Sequence, residues 1–162
     1  MKYINTRVVF LEVPDRTTLA INISGCPIRC PACHSKWLWE DKGTVLDEKE
    51  ISRLIQANEG INCVAFMGGD AETAKIRDYS TFIKENYPDI QTCWYSGRNA
   101  EEMPVMDEEG LLRNLDYVKF GPFDPNKGGL SSKTTNQVMF RLEHAGNTFR
   151  ATDITYKFRQ DG

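Results

Sequence analysis

The sequence has little excess charge and no long hydrophobic run. Its 20 basic and 23 acidic side chains leave a net charge of −3 over 162 residues, so no basic surface favours nucleic acid or an anionic membrane. The apolar run Val8–Leu11 is interrupted by Glu12 and is too short for a signal-peptide core or a membrane span. These absences predict a cytoplasmic protein that binds neither nucleic acid nor a membrane.

Cysteines are few and unevenly spaced. Three of the five, Cys26, Cys30 and Cys33, fall within eight residues, whereas Cys63 and Cys93 stand alone in apolar runs. This pattern excludes the disulfide framework of a small secreted domain. In a reducing compartment, clustered thiols indicate metal ligands and isolated ones indicate small buried core residues.

The chain has no repeats, no low-complexity tract and no long linker, and residues 1–162 fit a single domain. Hydrophobic patterns predict strands at Thr6–Val13, Thr18–Ile23, Cys63–Met67, Ile90–Tyr95 and Tyr117–Phe120, helices at Asp47–Asn58, Glu72–Tyr87 and Glu108–Leu115, and a hairpin of Gln137–Glu143 with Thr148–Phe158. Alternating strands and helices predict an α/β fold with right-handed crossovers. A full eight-stranded barrel needs about 250 residues, so we expect a partial, open (β/α) barrel with a mostly parallel sheet and an added C-terminal β-hairpin.

Unusual segments follow four of the predicted strands. They are Cys26, Gly68-Gly69-Asp70, Ser96-Gly97 and Gly121-Pro122. Because the carboxyl ends of parallel strands share one edge of a sheet, where ligands bind in such folds, we expect these segments to meet at one site.

The spacing Cys-x3-Cys-x2-Cys suits a 4Fe-4S cubane in which each thiolate of Cys26, Cys30 and Cys33 holds one iron. The fourth iron then stays open to a small chelating ligand. The alternative is a structural zinc site that adds His34. Adjacent side chains such as Cys33 and His34 point apart, so they chelate one small ion poorly.

Three further side chains are candidate ligand contacts at this edge. The carboxylate of Asp70 suits an amino group, next to glycines that admit a ligand to the backbone. The Ser96 hydroxyl is either a donor to a ligand carboxylate or a turn residue beside Gly97. Lys119 either neutralises such a carboxylate or is an ordinary solvated or ion-paired lysine.

The segments Cys26–Cys33 and Gly68-Gly69-Asp70 resemble the radical S-adenosylmethionine superfamily. Within it, the chain is similar to the glycyl radical enzyme activases that serve anaerobic ribonucleoside-triphosphate reductases. The segments that carry this narrower resemblance are Ser24-Gly25, Cys33-His34-Ser35, Met67–Asp70, Trp94–Gly97, Gly121-Pro122-Phe123 and Thr134–Gln137. Together they span nearly the whole chain.

The resemblance implies a radical S-adenosylmethionine type of partial barrel and two cofactors, a 4Fe-4S cluster and S-adenosyl-L-methionine. Reductive cleavage of the latter gives methionine and a 5′-deoxyadenosyl radical, which takes a hydrogen from a glycine of the reductase. A reducing donor such as flavodoxin or ferredoxin supplies the electron. No side chain is assigned a catalytic role, because the cofactors carry the chemistry.

The resemblance also implies the binding residues. Gly68, Gly69 and Asp70 would contact the methionine amino group, and the backbone around Ala32 and His34 would meet the nucleoside. Ser96 and Lys119 would complete the cofactor site. The alternatives are an activase of another glycyl radical enzyme such as pyruvate formate-lyase, a small-molecule radical enzyme, and a zinc-bearing interaction module.

Overall fold

The computed structural model describes residues 1–25 and 42–159. Within these residues, eight strands form one sheet. The strands are β1 (Lys2–Val9), β2 (Thr18–Ile23), β3 (Thr44–Val45), β4 (Cys63–Met67), β5 (Gln91–Tyr95), β6 (Tyr117–Phe120), β7 (Val138–Ala145) and β8 (Thr148–Asp153). The α-helices are α1 (Glu48–Ala57), α2 (Thr73–Asn86) and α3 (Met103–Glu108), and 3-10 helices occupy Ala100–Glu102 and Thr155–Arg159.

The sheet is mixed, with strand order β3-β1-β2-β4-β5-β6-β7-β8. Parallel pairing is confined to β2, β4, β5 and β6. The other four of the seven pairings are antiparallel, whereas the sequence predicted a mostly parallel sheet. Two of these antiparallel pairings, β1–β2 and β7–β8, follow from the length of the connections. Parallel neighbours require a crossover, and both connections are too short for one.

The three helices pack against one face of the sheet. Their buried residues, such as Ile51 of α1 and Ile76 of α2, join one core cluster with Phe66, Trp94 and other inward residues of the central strands. Successive side chains of a strand point to opposite faces. The alternate residues of β4 and β5 therefore belong to a second cluster.

That second cluster contains Cys63, Ala65 and Cys93, packed against Val13 from the β1–β2 connection and Ile154 from beyond β8. Both cysteines are free and buried, as the sequence predicted. Burial raises the pKa of the Cys63 thiol to about 12 and raises that of Cys93 well above its ordinary value. Both thiols therefore stay protonated at neutral pH and act as core residues.

Local signals explain two of the helices. Asp47 caps α1, since its side chain accepts a hydrogen bond from the Glu50 amide at 2.8 Å. The third helix lies at Met103–Glu108, so the prediction at Glu108–Leu115 was wrong. Pro104 falls in the first turn of α3, where a proline is favoured, and the chain after Glu108 forms turns instead.

The bounds of the first and last predicted strands differ most from the structure. The first strand begins at Lys2 and ends at Val9, because Val13 leaves the sheet edge and packs on the second core cluster. The last strand ends at Asp153, and Thr155–Arg159 form a 3-10 helix rather than a continuation of the hairpin. In the described part of the chain, no helix is long and apolar enough to cross a membrane.

Candidate functional site

Three of the four predicted segments lie together at the carboxyl edge of the parallel strands. The Trp94 indole donates to the Gly68 carbonyl at 2.8 Å, which ties the end of β4 to β5. The Gly121 amide donates to the Arg98 carbonyl at 2.7 Å, which ties the loop after β6 to the loop after β5. Hydrogen bonds therefore link the strand ends to one another at this edge.

The residue directly before the cysteine segment lies at the same edge. Gly25, the last described residue before Cys26, lines a cavity of about 330 Å³ together with Ala71 and Glu72, which directly follow Asp70. The predicted cluster ligands Cys26, Cys30 and Cys33 and the predicted nucleoside contacts Ala32 and His34 lie outside the described residues. The chain thus enters the cysteine segment close to the residues that follow Asp70.

Asp70 is a buried carboxylate with several partners. Its side chain is 1% exposed, and its Oδ1 and Oδ2 atoms accept hydrogen bonds from the Ser96 hydroxyl at 2.5 Å and the Gly97 amide at 3.1 Å. The guanidinium of Arg98 lies beside it, with Nε 3.6 Å from Oδ1. A buried carboxylate requires such donors and a nearby cation, because an isolated buried charge costs several kcal/mol.

Ser96 is part of the support for Asp70. Its hydroxyl donates a hydrogen bond to the carboxylate and accepts one from the Arg98 amide at 3.0 Å. The whole residue is buried. The hydroxyl therefore faces the protein in this structure. Both of its hydrogen bonds stabilise the loop after β5.

Lys119 is a buried lysine on β6, not a solvated one. Its ammonium donates to the carbonyls of Ser96 and Gly121, at 3.0 Å in each case. It also lies 5.6 Å from the centre of the Tyr95 ring. These contacts make Lys119 a link between the loops that follow β5 and β6, beside the candidate ligand site.

The two glycines of the Gly68-Gly69 pair have conformations that other residues rarely adopt, with φ of 109° and 93°. A Cβ on Gly69 would lie 2.7 Å from Cδ1 of Ile76 in α2, and one on Gly68 would lie 3.3 Å from the Ile23 carbonyl oxygen. Glycine is therefore required here for the turn and for close packing of α2 against the strand end.

An open cavity of about 700 Å³ adjoins the site on the sheet face opposite the helices. Tyr95, the residue before Ser96, forms part of its wall, together with Phe10, Leu11, Leu130 and Phe158. The Tyr95 hydroxyl donates to the Glu12 carbonyl and so fixes the β1–β2 connection across this face. Phe10 and Leu11 are 65% and 82% exposed, which leaves an apolar rim.

The Gly121–Leu130 segment, whose sequence predicts either a mobile lid or a surface loop, has contacts within itself and with the residues that follow it. Asp124 and Gly128 form a β-bridge, and the hydroxyls of Thr134 and Thr135 donate to the carbonyls of Lys127 and Gly128. Leu130 reaches the second core cluster. The segment is therefore anchored at the side of the cavity.

Sequence reasoning missed Arg98. Its Nη2 donates to the Asp70 carbonyl at 3.0 Å while Nε faces the Asp70 carboxylate. The available signal was its position in the sequence. Arg98 lies two residues after Ser96, and Ser96 was assigned to the same site as Asp70. Among the described residues, no group of three or more His, Cys, Asp and Glu side chains could hold a metal ion.

The chain is similar to a known family of iron–sulfur proteins. The family model of the 4Fe-4S single cluster domain matches residues 16–141, well over half of the 162 residues. The chain therefore belongs to the 4Fe-4S single cluster domain family. No curated protein and no solved structure matches it.

This membership supports the 4Fe-4S cluster predicted from the cysteine spacing. The matched span includes Cys26, Cys30 and Cys33 as well as Gly68–Asp70, Ser96 and Lys119. A cluster of this kind is compatible with redox enzyme activity. The S-adenosylmethionine site and the glycyl radical reaction stay predictions.

Proposed function

We propose that this protein is a radical S-adenosylmethionine activase that generates a glycyl radical on an anaerobic ribonucleoside-triphosphate reductase. Its family membership gives the cluster type, and its three clustered cysteines leave one iron of a cubane without a protein ligand. The observation that carries the proposal is the approach of Gly25, directly before those cysteines, to the residues that follow Gly68-Gly69-Asp70.

The donor set fits the cluster. Thiolates are the usual protein ligands of 4Fe-4S clusters, and the proposed ligands are Cys26, Cys30 and Cys33. The other two cysteines, Cys63 and Cys93, are buried in the core cluster on the sheet face opposite the helices and are therefore not proposed as iron ligands.

The residues at the strand ends fit an amino acid ligand. Gly68 and Gly69 present backbone without side chains, and the carboxylate oxygens of Asp70 are suitable acceptors for an ammonium group. Held by Cys26, Cys30 and Cys33, a 4Fe-4S cluster would supply the electron for reductive cleavage of S-adenosylmethionine, and the target glycine would supply the hydrogen atom that completes 5′-deoxyadenosine. Flavodoxin or ferredoxin is the proposed class of electron donor.

The cavity of about 700 Å³ is the proposed entry for the reductase segment. Because it is open and has an apolar rim at Phe10 and Leu11, an extended peptide of the reductase would cover it and exclude water. Only glycine brings a backbone α-carbon close to a reactive group without an intervening side chain. Leu130 and Phe158 are the proposed wall contacts for this peptide.

The experiment is a cofactor cleavage assay on anaerobically reconstituted, chemically reduced protein mixed with the reductase, whose target glycine supplies the hydrogen atom that completes 5′-deoxyadenosine. We expect 5′-deoxyadenosine and methionine to form in equal amounts. Cys30→Ala should abolish both products, whereas Cys93→Ala, which changes a buried core thiol, should retain them. A protein that carries a full cluster and binds the cofactor but releases neither product would refute the proposed function.

A further inference from the structure

Arg98 makes two kinds of contact with one residue. Its Nη2 donates to the backbone carbonyl of Asp70 at 3.0 Å, and its Nε lies 3.6 Å from the Asp70 carboxylate, outside hydrogen-bond distance. The Nε atom is buried and has no hydrogen-bond partner. Arg98 thus forms an ion pair with the Asp70 carboxylate, while its hydrogen bond goes to the Asp70 backbone carbonyl.

This arrangement differs from the common fork, in which a guanidinium donates two parallel hydrogen bonds to both carboxylate oxygens. A carboxylate has about four lone-pair sites. In the described part of the chain, the Ser96 hydroxyl and the Gly97 amide use one site on each oxygen. Because Arg98 donates to the carbonyl instead, its hydrogen bonds do not occupy the remaining sites.

Arg98 is itself held in place. Its Nη1 lies 3.6 Å from Oε1 of Glu102, and the other oxygen of Glu102 accepts the Asn99 amide at 3.0 Å. Its own amide donates to the Ser96 hydroxyl oxygen. The guanidinium is therefore fixed by the short turn Asn99–Glu102 on one side and by Asp70 on the other.

We propose that Arg98 is a positioning residue for the ligand ammonium group. It orients the buried Asp70 carboxylate while leaving lone pairs on that carboxylate for the ligand. The proposal rests on the proposed function, because it assumes that the ammonium belongs to S-adenosylmethionine. Arg98 therefore influences ligand binding through Asp70 and does not contact the ligand itself.

The test is a double-mutant cycle on S-adenosylmethionine binding to anaerobically reconstituted protein, with wild type, Asp70→Asn, Arg98→Gln and the double variant. Each single variant should weaken binding about tenfold or more. Because Arg98 acts through Asp70, Arg98→Gln should have little further effect in the Asp70→Asn background. Arg98→Lys should recover part of the affinity, since it restores the charge.

The matched control is Arg77→Gln, which removes an exposed ion pair with Asp78 on α2 and should leave affinity unchanged. Additive effects in the cycle would contradict the proposal and indicate a direct ligand contact by Arg98. Full affinity in Arg98→Gln would refute it outright.

Urea unfolding of the same four proteins separates this proposal from the proposed function. If wild type binds no S-adenosylmethionine, both the function and the positioning role fail, even when unfolding still shows coupling between Arg98 and Asp70. If wild type binds and cleaves the cofactor but the binding cycle is additive, the function stands and only the positioning role is refuted.

Discussion

The Ser96 hydroxyl donates to Oδ1 of Asp70 at 2.5 Å, which joins the loop after β5 to the loop after β4. Both side chains are buried. The bond brings together two residues 26 positions apart that the sequence assigned to one ligand site. It gives Ser96 a measurable role before any ligand binds.

Ser96→Ala should lower the free energy of unfolding by about 1–3 kcal/mol, because a buried carboxylate oxygen loses a donor and the Arg98 amide loses its acceptor. The control is Ser80→Ala, at a buried serine of α2 whose hydroxyl donates only to a carbonyl of its own helix. That change should be nearly neutral, since alanine favours helix. Urea unfolding measures the free energy of unfolding of both variants. Equal losses would show that the contact between Ser96 and Asp70 does not stabilise the fold.

Gly69→Ala should destabilise the protein through both backbone strain and a clash with Ile76, whose Cδ1 would lie 2.7 Å from the new Cβ. Gly60→Ala is the matched control, because Gly60 has a similar φ of 90° and no neighbouring atom within 4 Å of a Cβ. We expect a loss of about 1–3 kcal/mol from strain alone at Gly60 and a larger one at Gly69. Equal losses in thermal unfolding would contradict the close packing at Gly69.

Much of the fold follows from local pattern. A wholly apolar run identified β4 with correct bounds, the bounds predicted for β6 were also correct, and the capping signal at Asp47 identified α1. The first strand and the third helix were misplaced for different reasons. Val13 is removed from the strand by tertiary packing that no local pattern encodes, whereas α3 was marked by Pro104, a local signal that was overlooked.

The site was predictable only in part. Strand order places Gly68–Asp70 and Ser96 at one edge, and a topological argument suffices for that. The orientation of Ser96 toward Asp70, the anchoring of Lys119 on two carbonyls and the role of Arg98 depend on distances between loops. Sequence alone does not provide those distances.

The Cys63 thiol should make the stability depend on pH. Its pKa is about 12 in the folded protein against an ordinary value of 9.0. Between these values the unfolded chain has lost the proton that the folded chain retains, so stability falls as pH rises, by up to about 1.4 kcal/mol per pH unit. This contribution is fully present below pH 9.0 and is lost toward pH 12.

Cys63→Ala removes that contribution. The variant should be less stable than wild type near neutral pH because of the lost packing, and the difference should shrink as the pH is raised to about 11. Urea unfolding at several pH values measures the difference. A difference that does not change with pH would show that Cys63 is not shielded from water as the structure indicates.

Replacing any one of Cys26, Cys30 and Cys33 by alanine should abolish the 4Fe-4S cluster, because each thiolate is proposed to hold one iron. Iron and acid-labile sulfide after anaerobic reconstitution should each be about four per chain in wild type. Cys63→Ala should retain this content. One zinc per chain in place of iron and sulfide would instead identify a structural zinc module.

The central claim, activation of an anaerobic ribonucleoside-triphosphate reductase, is tested most directly by electron paramagnetic resonance. The sample contains the reduced protein, S-adenosylmethionine and the reductase, and controls omit one component each. We predict a glycyl radical doublet that appears only in the complete mixture and is lost when the target glycine of the reductase is replaced by alanine. Cofactor cleavage with no radical on that reductase, together with activation of another glycyl radical enzyme, would contradict the claim.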